Sequence, residues 1–211
     1  MTLKALYFNV LRECCYILWD ETLECVIIDP GFSSDGEFDR LKRLVSENGL
    51  KPVKVLLTHG HFDHVLGLEK ACKFWGVKAY FNEKDWEQLE RAPLYSGALG
   101  IETEPFTGEY VNIEDGDSVT FGNTVLKVIA TPGHTRGGVC YLNELEKILI
   151  SGDTLFAGSI GRTDHLGGNL EQIIESIETK LMTLDGDIVV YPGHGSRTDI
   201  AYERATNPFL H

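Results

Sequence analysis

No apolar run in this 211-residue chain approaches the roughly 20 residues that a membrane-crossing helix needs. The start, Met1-Thr2-Leu3-Lys4-Ala5-Leu6, soon meets Asn9, Arg12 and Glu13, so it does not form the apolar core and small-residue cleavage site of a secretory signal. Both features read as a soluble, cytoplasmic protein. Basic residues are scarce: 19 Lys and Arg stand against 32 Asp and Glu, a formal net charge of −13. Nucleic acids and anionic membranes are gripped by cationic surfaces, so neither is an expected partner. Most of the acids serve solubility. Cysteine is confined to positions 14, 15, 25, 72 and 140, an odd count with no Cys-x-x-Cys. Runs such as Glu24-Cys25-Val26-Ile27 place the thiols among apolar neighbours, which fits buried reduced cysteines better than a disulfide framework or a nucleophile.

What the chain does contain is an uneven distribution of histidine. The seven stand at 59, 61, 64, 134, 165, 194 and 211, and three of them crowd with Asp63 into Thr58-His59-Gly60-His61-Phe62-Asp63-His64. Imidazole and carboxylate are good ligands for first-row metals, and zinc takes both.

An apolar content of 43% supports a sizeable core. Residues 4–10 and 14–19 read as strands, and Asp20-Glu21 turns the second toward Cys25-Val26-Ile27-Ile28, which ends at Asp29-Pro30-Gly31. Helical spacing marks 36–48, closed by Asn48-Gly49, and a helix after the histidine run that stops at Gly76. Val53 to Leu57 is a buried strand running straight into the histidines, and 77–81 is another strand. Residues 83–91 form a short polar helix, and 92–110, with Pro and Gly and no period, a long loop that is either a lid or an ordinary connection. Ser118–Phe121 and Thr124–Ile129 form a hairpin around Gly122-Asn123; strands follow at 139–142, 147–150 and 188–191, with an amphipathic helix at 169–184. Both halves therefore run hairpin strands, a helix, then a buried strand, which suggests two packed sheets with helices outside.

Three more apolar strands end beside a glycine and one chemistry-bearing residue: Pro132-Gly133-His134, Gly152-Asp153-Thr154 and Pro192-Gly193-His194. With His59, His61, Asp63 and His64 they make a metal site the strongest reading. His165 is undecided, and His211 is taken as inert.

The pattern His59-x-His61-x-Asp63-His64, then His134, Asp153 and His194, resembles the metallo-β-lactamase superfamily across nearly the whole chain. The resemblance implies an αββα sandwich, a mixed α/β fold of two mixed sheets between helices, in one domain over residues 1–211. It implies two divalent cations, zinc in the first place with iron or manganese as alternatives. His59, His61 and His134 would hold one, Asp63, His64 and His194 the other, and Asp153 would bridge them. Asp63 would also orient the attacking hydroxide, which makes it the candidate catalytic residue.

Within the superfamily, Gly152-Asp153-Thr154-Leu155-Phe156 and Gly158-Ser159-Ile160-Gly161-Arg162-Thr163-Asp164 are similar to the glyoxalase II group of thioester hydrolases, and the ending Tyr202 to Leu210 to its short, YcbL-like bacterial members. That likeness implies a hydrolase of S-acyl thiols such as S-lactoylglutathione. Resistance lactamases often carry cysteine where Asp153 stands, so antibiotic hydrolysis is not expected. The chain stops 17 residues after His194, without the helical domain that helps full-length glyoxalase II hold glutathione. Arg162 stands where the family has a basic substrate contact, but Asp164 replaces an aromatic hydroxyl and is placed to pair with it. Persulfide dioxygenases share the fold and a similar Gly-Arg-Thr-Asp segment, with one iron that His59, His134 and Asp153 would hold. Oligomeric state is not legible.

Overall fold

The computed structural model describes residues 1–210, so His211 lies outside the described residues. The first half runs β1 (Thr2–Phe8), β2 (Glu13–Trp19), β3 (Glu24–Ile28), α1 (Asp35–Glu47), β4 (Lys51–Leu56), α2 (Phe62–Val65), α3 (Leu68–Trp75), β5 (Ala79–Phe81), α4 (Trp86–Ala98) and β6 (Tyr110–Asn112). The second runs β7 (Ser118–Phe121), β8 (Thr124–Ala130), β9 (Val139–Asn143), β10 (Ile148–Gly152), β11 (Leu155–Phe156), β12 (Ser159–Ile160), α5 (Leu170–Ser176), β13 (Val189–Pro192), β14 (Thr198–Asp199) and α6 (Ile200–Thr206).

Two six-stranded sheets result, ordered β1-β2-β3-β4-β5-β6 and β14-β13-β10-β9-β8-β7. Each begins with antiparallel hairpin strands and then takes a parallel strand after a helical crossover: β4 beside β3, and β13 beside β10.

Side-chain alternation explains the layering. In β2, Cys15, Ile17 and Trp19 pack with Phe38, Leu41 and Val45 of α1. The intervening Cys14, Tyr16 and Leu18 face Val119, Leu126 and Tyr141 of the second sheet. On that sheet's far side, Cys140, Leu142 and Leu149 meet Ile173, Ile177 and Leu181. The order helix, sheet, sheet, helix is the expected αββα sandwich, and β2 is buried throughout because both of its faces are covered.

Several expectations need correction. The segment 92–110 is not all loop: α4 continues through Pro93 to Ala98, since Leu89, Ala92 and Ser96 are buried and hold it on the core despite the missing proline N–H. Residues 110–112 then pair with β5 as β6. The helix after the histidines breaks at Leu66-Gly67, where Gly67 lies against the Phe32 ring so closely that a Cβ would sit 2.3 Å from it. The helix expected over 169–184 changes to a π turn at Ile177–Leu181. That wider turn offsets the drift of a four-residue apolar spacing around a helix of about 3.6 residues per turn, keeping Ile173, Ile177 and Leu181 in one core. The elements β11, β12, β14 and α6 had no sequence expectation.

Candidate metal centre

Every site residue named from the sequence lies just beyond the C-terminal end of a strand. His59 and His61 follow β4, with Asp63 and His64 on α2; His134 follows β8, Asp153 follows β10 and His194 follows β13. The first four come from one sheet and the last three from the other, at their shared edge. His59, His61 and His134 offer ligand atoms within 4.8 Å of one another, and so do Asp63, His64 and His194. Asp153 lies between the triads. Its Oδ1 is 3.5 Å from His64 Nε2, and its Oδ2 is 3.6 Å from His134 Nε2 and 3.7 Å from His194 Nε2.

Hydrogen bonds behind the rings set which nitrogen is free. His64 Nδ1 lies 3.0 Å from Asp29 Oδ2, His134 Nδ1 lies 2.7 Å from the Arg162 carbonyl, and His194 Nδ1 lies 3.2 Å from the Leu11 carbonyl. Each partner accepts only, so Nδ1 donates and Nε2 is the nitrogen left to a cation, with a lone pair whenever the ring is neutral. His59 Nδ1 meets Thr58 Oγ1 at 3.0 Å, and that hydroxyl already gives its proton to Asp29 Oδ2 at 2.6 Å. His59 Nε2 is consequently also a lone pair, buried and without a partner, as is Asp153 Oδ1. His61 Nδ1 faces His134 Nε2 at 2.8 Å, and His64 Nε2 faces His194 Nε2 at 3.3 Å. Converging lone pairs and an orphaned carboxylate oxygen fit divalent cations.

The two triads differ electrically. Burial, with the neighbouring imidazoles, pushes His59 and His61 well below the usual histidine range, and burial lowers His134. Burial also opposes charge on His64, but Asp63, Asp153 and Asp29 outweigh it and push the ring up to about 10. His194 is raised against the same opposition by Asp63 and Asp153. Asp63, buried itself, is nonetheless held well below the carboxylate range by His64 and His194.

Sequence reasoning missed the supports. Asp29 was read only as a strand end, yet its carboxylate takes the Thr58 N–H at 2.7 Å as well as Thr58 Oγ1 and His64. Its signal was the one that found the ligands, an acid beside glycine after an apolar strand. Asp85 accepts from Gly60 N, Thr135 Oγ1 and Gly137 N, tying the first histidine loop to the loop after His134. His165 stacks edge-on with His61 and His134, at ring separations of 4.9 Å and 5.4 Å, and its buried Nε2 has no partner. Arg162 reaches the site's cavity but holds Asp164 through two bonds of 2.7 Å and 2.8 Å. A larger recess beside α1 and α4 contains none of these residues.

Such a layered fold with a cation-binding edge defines a class of metal-binding α/β proteins. The chain belongs to the metallo-beta-lactamase superfamily, whose family model matches residues 11–194. It is 41% identical over 191 residues to a probable metallo-hydrolase, YqgX, of Bacillus subtilis, covering 89% of this chain and 87% of that one. It is 34% identical over 212 residues to the hydroxyacylglutathione hydrolase GloC of Haemophilus influenzae, covering 100% and 98%. Among solved structures, TTHA1623 in a di-iron-bound form superposes with a TM-score of 0.88 at 32% identity, covering 98% of this chain and 100% of that one. The BLEG-1 B3 metallo-beta-lactamase gives 0.85 at 34%, covering 99% of each chain, and ETHE1 from Myxococcus xanthus gives 0.80 at 29%, covering 99% and 84%. Among the described residues, no helix is long and apolar enough to cross a membrane.

Proposed function

We propose that the protein is a metal-dependent hydrolase of S-acyl thiols, similar in chemistry to hydroxyacylglutathione hydrolases. The observation that carries this reading is the pair of donor triads on either side of Asp153. The first cation falls to His59, His61 and His134, the second to Asp63, His64 and His194, with Asp153 between them. A di-iron-bound relative supports two cations, and zinc, iron and manganese all suit the donors. Two such cations, when bound, supply a water that ionises near neutral pH and charge to offset a developing oxyanion. The protein's own residues do the rest. Asp63 Oδ2, 3.1 Å from His194 Nε2 and held ionised, orients the nucleophile. Asp29, Thr58 and the carbonyls of Leu11 and Arg162 hold the rings so that no reorganisation is needed. A thiolate leaves readily, since thiols ionise near pH ~8.5, and no strong general acid is required.

Metal analysis beside S-lactoylglutathione hydrolysis tests the proposal. Two cations per chain with turnover supports it, and Asp63→Ala or His59→Ala abolishes that turnover while far-UV dichroism stays native. Near-normal rates in either variant sink the mechanism. The second reading, a persulfide dioxygenase with one iron on His59, His134 and Asp153, draws on the likeness to ETHE1. It leaves the Asp63, His64 and His194 triad without a task. One iron per chain with persulfide-dependent oxygen uptake would favour it, and nitrocefin hydrolysis would favour a lactamase.

A further inference from the structure

The cavity over the ligands is about 710 Å³, large enough for a drug-sized molecule. Its floor is polar, formed by His61, Asp63, His134, Asp153 and His194. Its walls are not. Leu11 comes from the β1–β2 turn, Phe62 from α2, Leu99 from the end of α4, and Phe156, Ile160 and Leu166 from the second half. Leu11 is 47% exposed and Leu99 55%, so both leave apolar surface open at the mouth. Such surface favours whatever apolar group covers it.

Cations are the missing component. Among the described residues that line the cavity, Arg162 is the single Lys or Arg. Asp164 occupies its guanidinium in bidentate fashion, so a carboxylate approaching Arg162 meets a like charge already seated there. Arg12, next along from Leu11, lies over the Tyr7 ring at 5.5 Å. Glutathione carries two carboxylates and one ammonium. Among the described residues, these walls offer no cation free of a carboxylate and, outside the candidate ligands, no acid to meet the ammonium.

We infer that this site selects acyl thioesters flanked by apolar groups over glutathione conjugates. The inference rests on the thioesterase reading and narrows its substrate class. Apolar groups on either side of the bond would cover Leu11, Leu99 and Phe156, while the thioester carbonyl lies over the ligands.

The test is a two-by-two substrate panel with metal-loaded protein. Lactoyl and hexanoyl groups are each joined to glutathione and to N-acetylcysteamine. Each buried methylene is worth about fourfold, so hexanoyl-N-acetylcysteamine is expected to exceed S-lactoylglutathione by at least tenfold in kcat/KM. The thiol half is isolated by binding: S-hexyl-N-acetylcysteamine, which cannot be hydrolysed, should compete more tightly than S-hexylglutathione. Leu99→Asp should lower kcat/KM for the hexanoyl substrate about tenfold more than for an acetyl one. Asp164→Ala frees Arg162 and should raise kcat/KM on the glutathione thioesters several-fold, a gain that a merely structural pair would not give. Equal or better turnover of S-lactoylglutathione by the native protein overturns the inference and leaves the thioesterase reading standing. If two-metal protein hydrolyses no member of the panel, that reading falls and the inference with it.

Discussion

At the scale of single residues, the two donor triads start from opposite protonation states. His59, His61 and His134 are neutral near pH 7 in the metal-free protein, whereas His64 carries a proton there. Because His64 is raised, its contribution to stability is fully present below the unfolded value of about 6.5 and is lost as pH rises toward about 10. A cation entering the second triad must displace the His64 proton, and at the lower end of that range a His194 proton as well, whereas one entering the first need displace neither. Loading of the second site should therefore tighten at least about tenfold per pH unit between pH 6.5 and 8.5, while the first changes little. Calorimetric zinc titrations at those two pH values check this, and identical pH dependence at both sites would refute it. Gly193 is a second case decided by one atom. A Cβ there would lie 2.1 Å from Asp153 Oδ1 and 2.7 Å from His64 Cε1. Gly193→Ala is expected to displace the central carboxylate and reduce bound metal below two per chain with the dichroism spectrum intact.

The turn between β1 and β2 is the element that binds the site's outer side. Asn9 donates from Nδ2 to the carbonyls of Gly31 and Asp63, both at 2.9 Å, and Leu11 supplies the carbonyl that holds His194. Asn9 has a positive φ of 48°, which asparagine tolerates and glycine accepts freely. Asn9→Gly keeps that backbone and removes these two bonds together with the one its Oδ1 accepts from Leu11 N–H at 2.9 Å. A loss of about 1–3 kcal/mol is expected in urea unfolding, with the second cation bound more weakly than the first. A stability change confined to a few tenths of that range would mean the turn is not a strap. Elements with a full period were legible in the sequence: α1 through Phe38, Leu41 and Val45, and β8 through its alternating burial. The two-residue strands β11, β12 and β14 are too short to show any period. Pro93 carried the signal of a loop, and only the buried face of α4 overrides it. At the site, each candidate ligand was legible because a crowded His and Asp run, or a lone His or Asp beside glycine after an apolar strand, is chemically conspicuous. Thr58 and Asp85 were not, because their roles exist only through partners that the fold brings from distant segments.

The molecule as a whole keeps all five cysteines free and buried. Burial pushes Cys14 and Cys140 up to about 11, and Cys25 and Cys72 up to about 12. None should react with dithionitrobenzoate in the folded state, and all five should react once guanidinium unfolds the chain; rapid labelling of the native protein would contradict this. The division of labour between the two sheets and the rim has a further consequence. Leu11 touches the chemistry only through its carbonyl oxygen, an atom that every residue type provides. Its side chain, and that of Leu99 on a helix that contributes no candidate ligand, can change under selection without altering how a single imidazole is held. Inheritance can therefore keep the metal-binding edge constant while new diets are tried at its border, one side chain at a time.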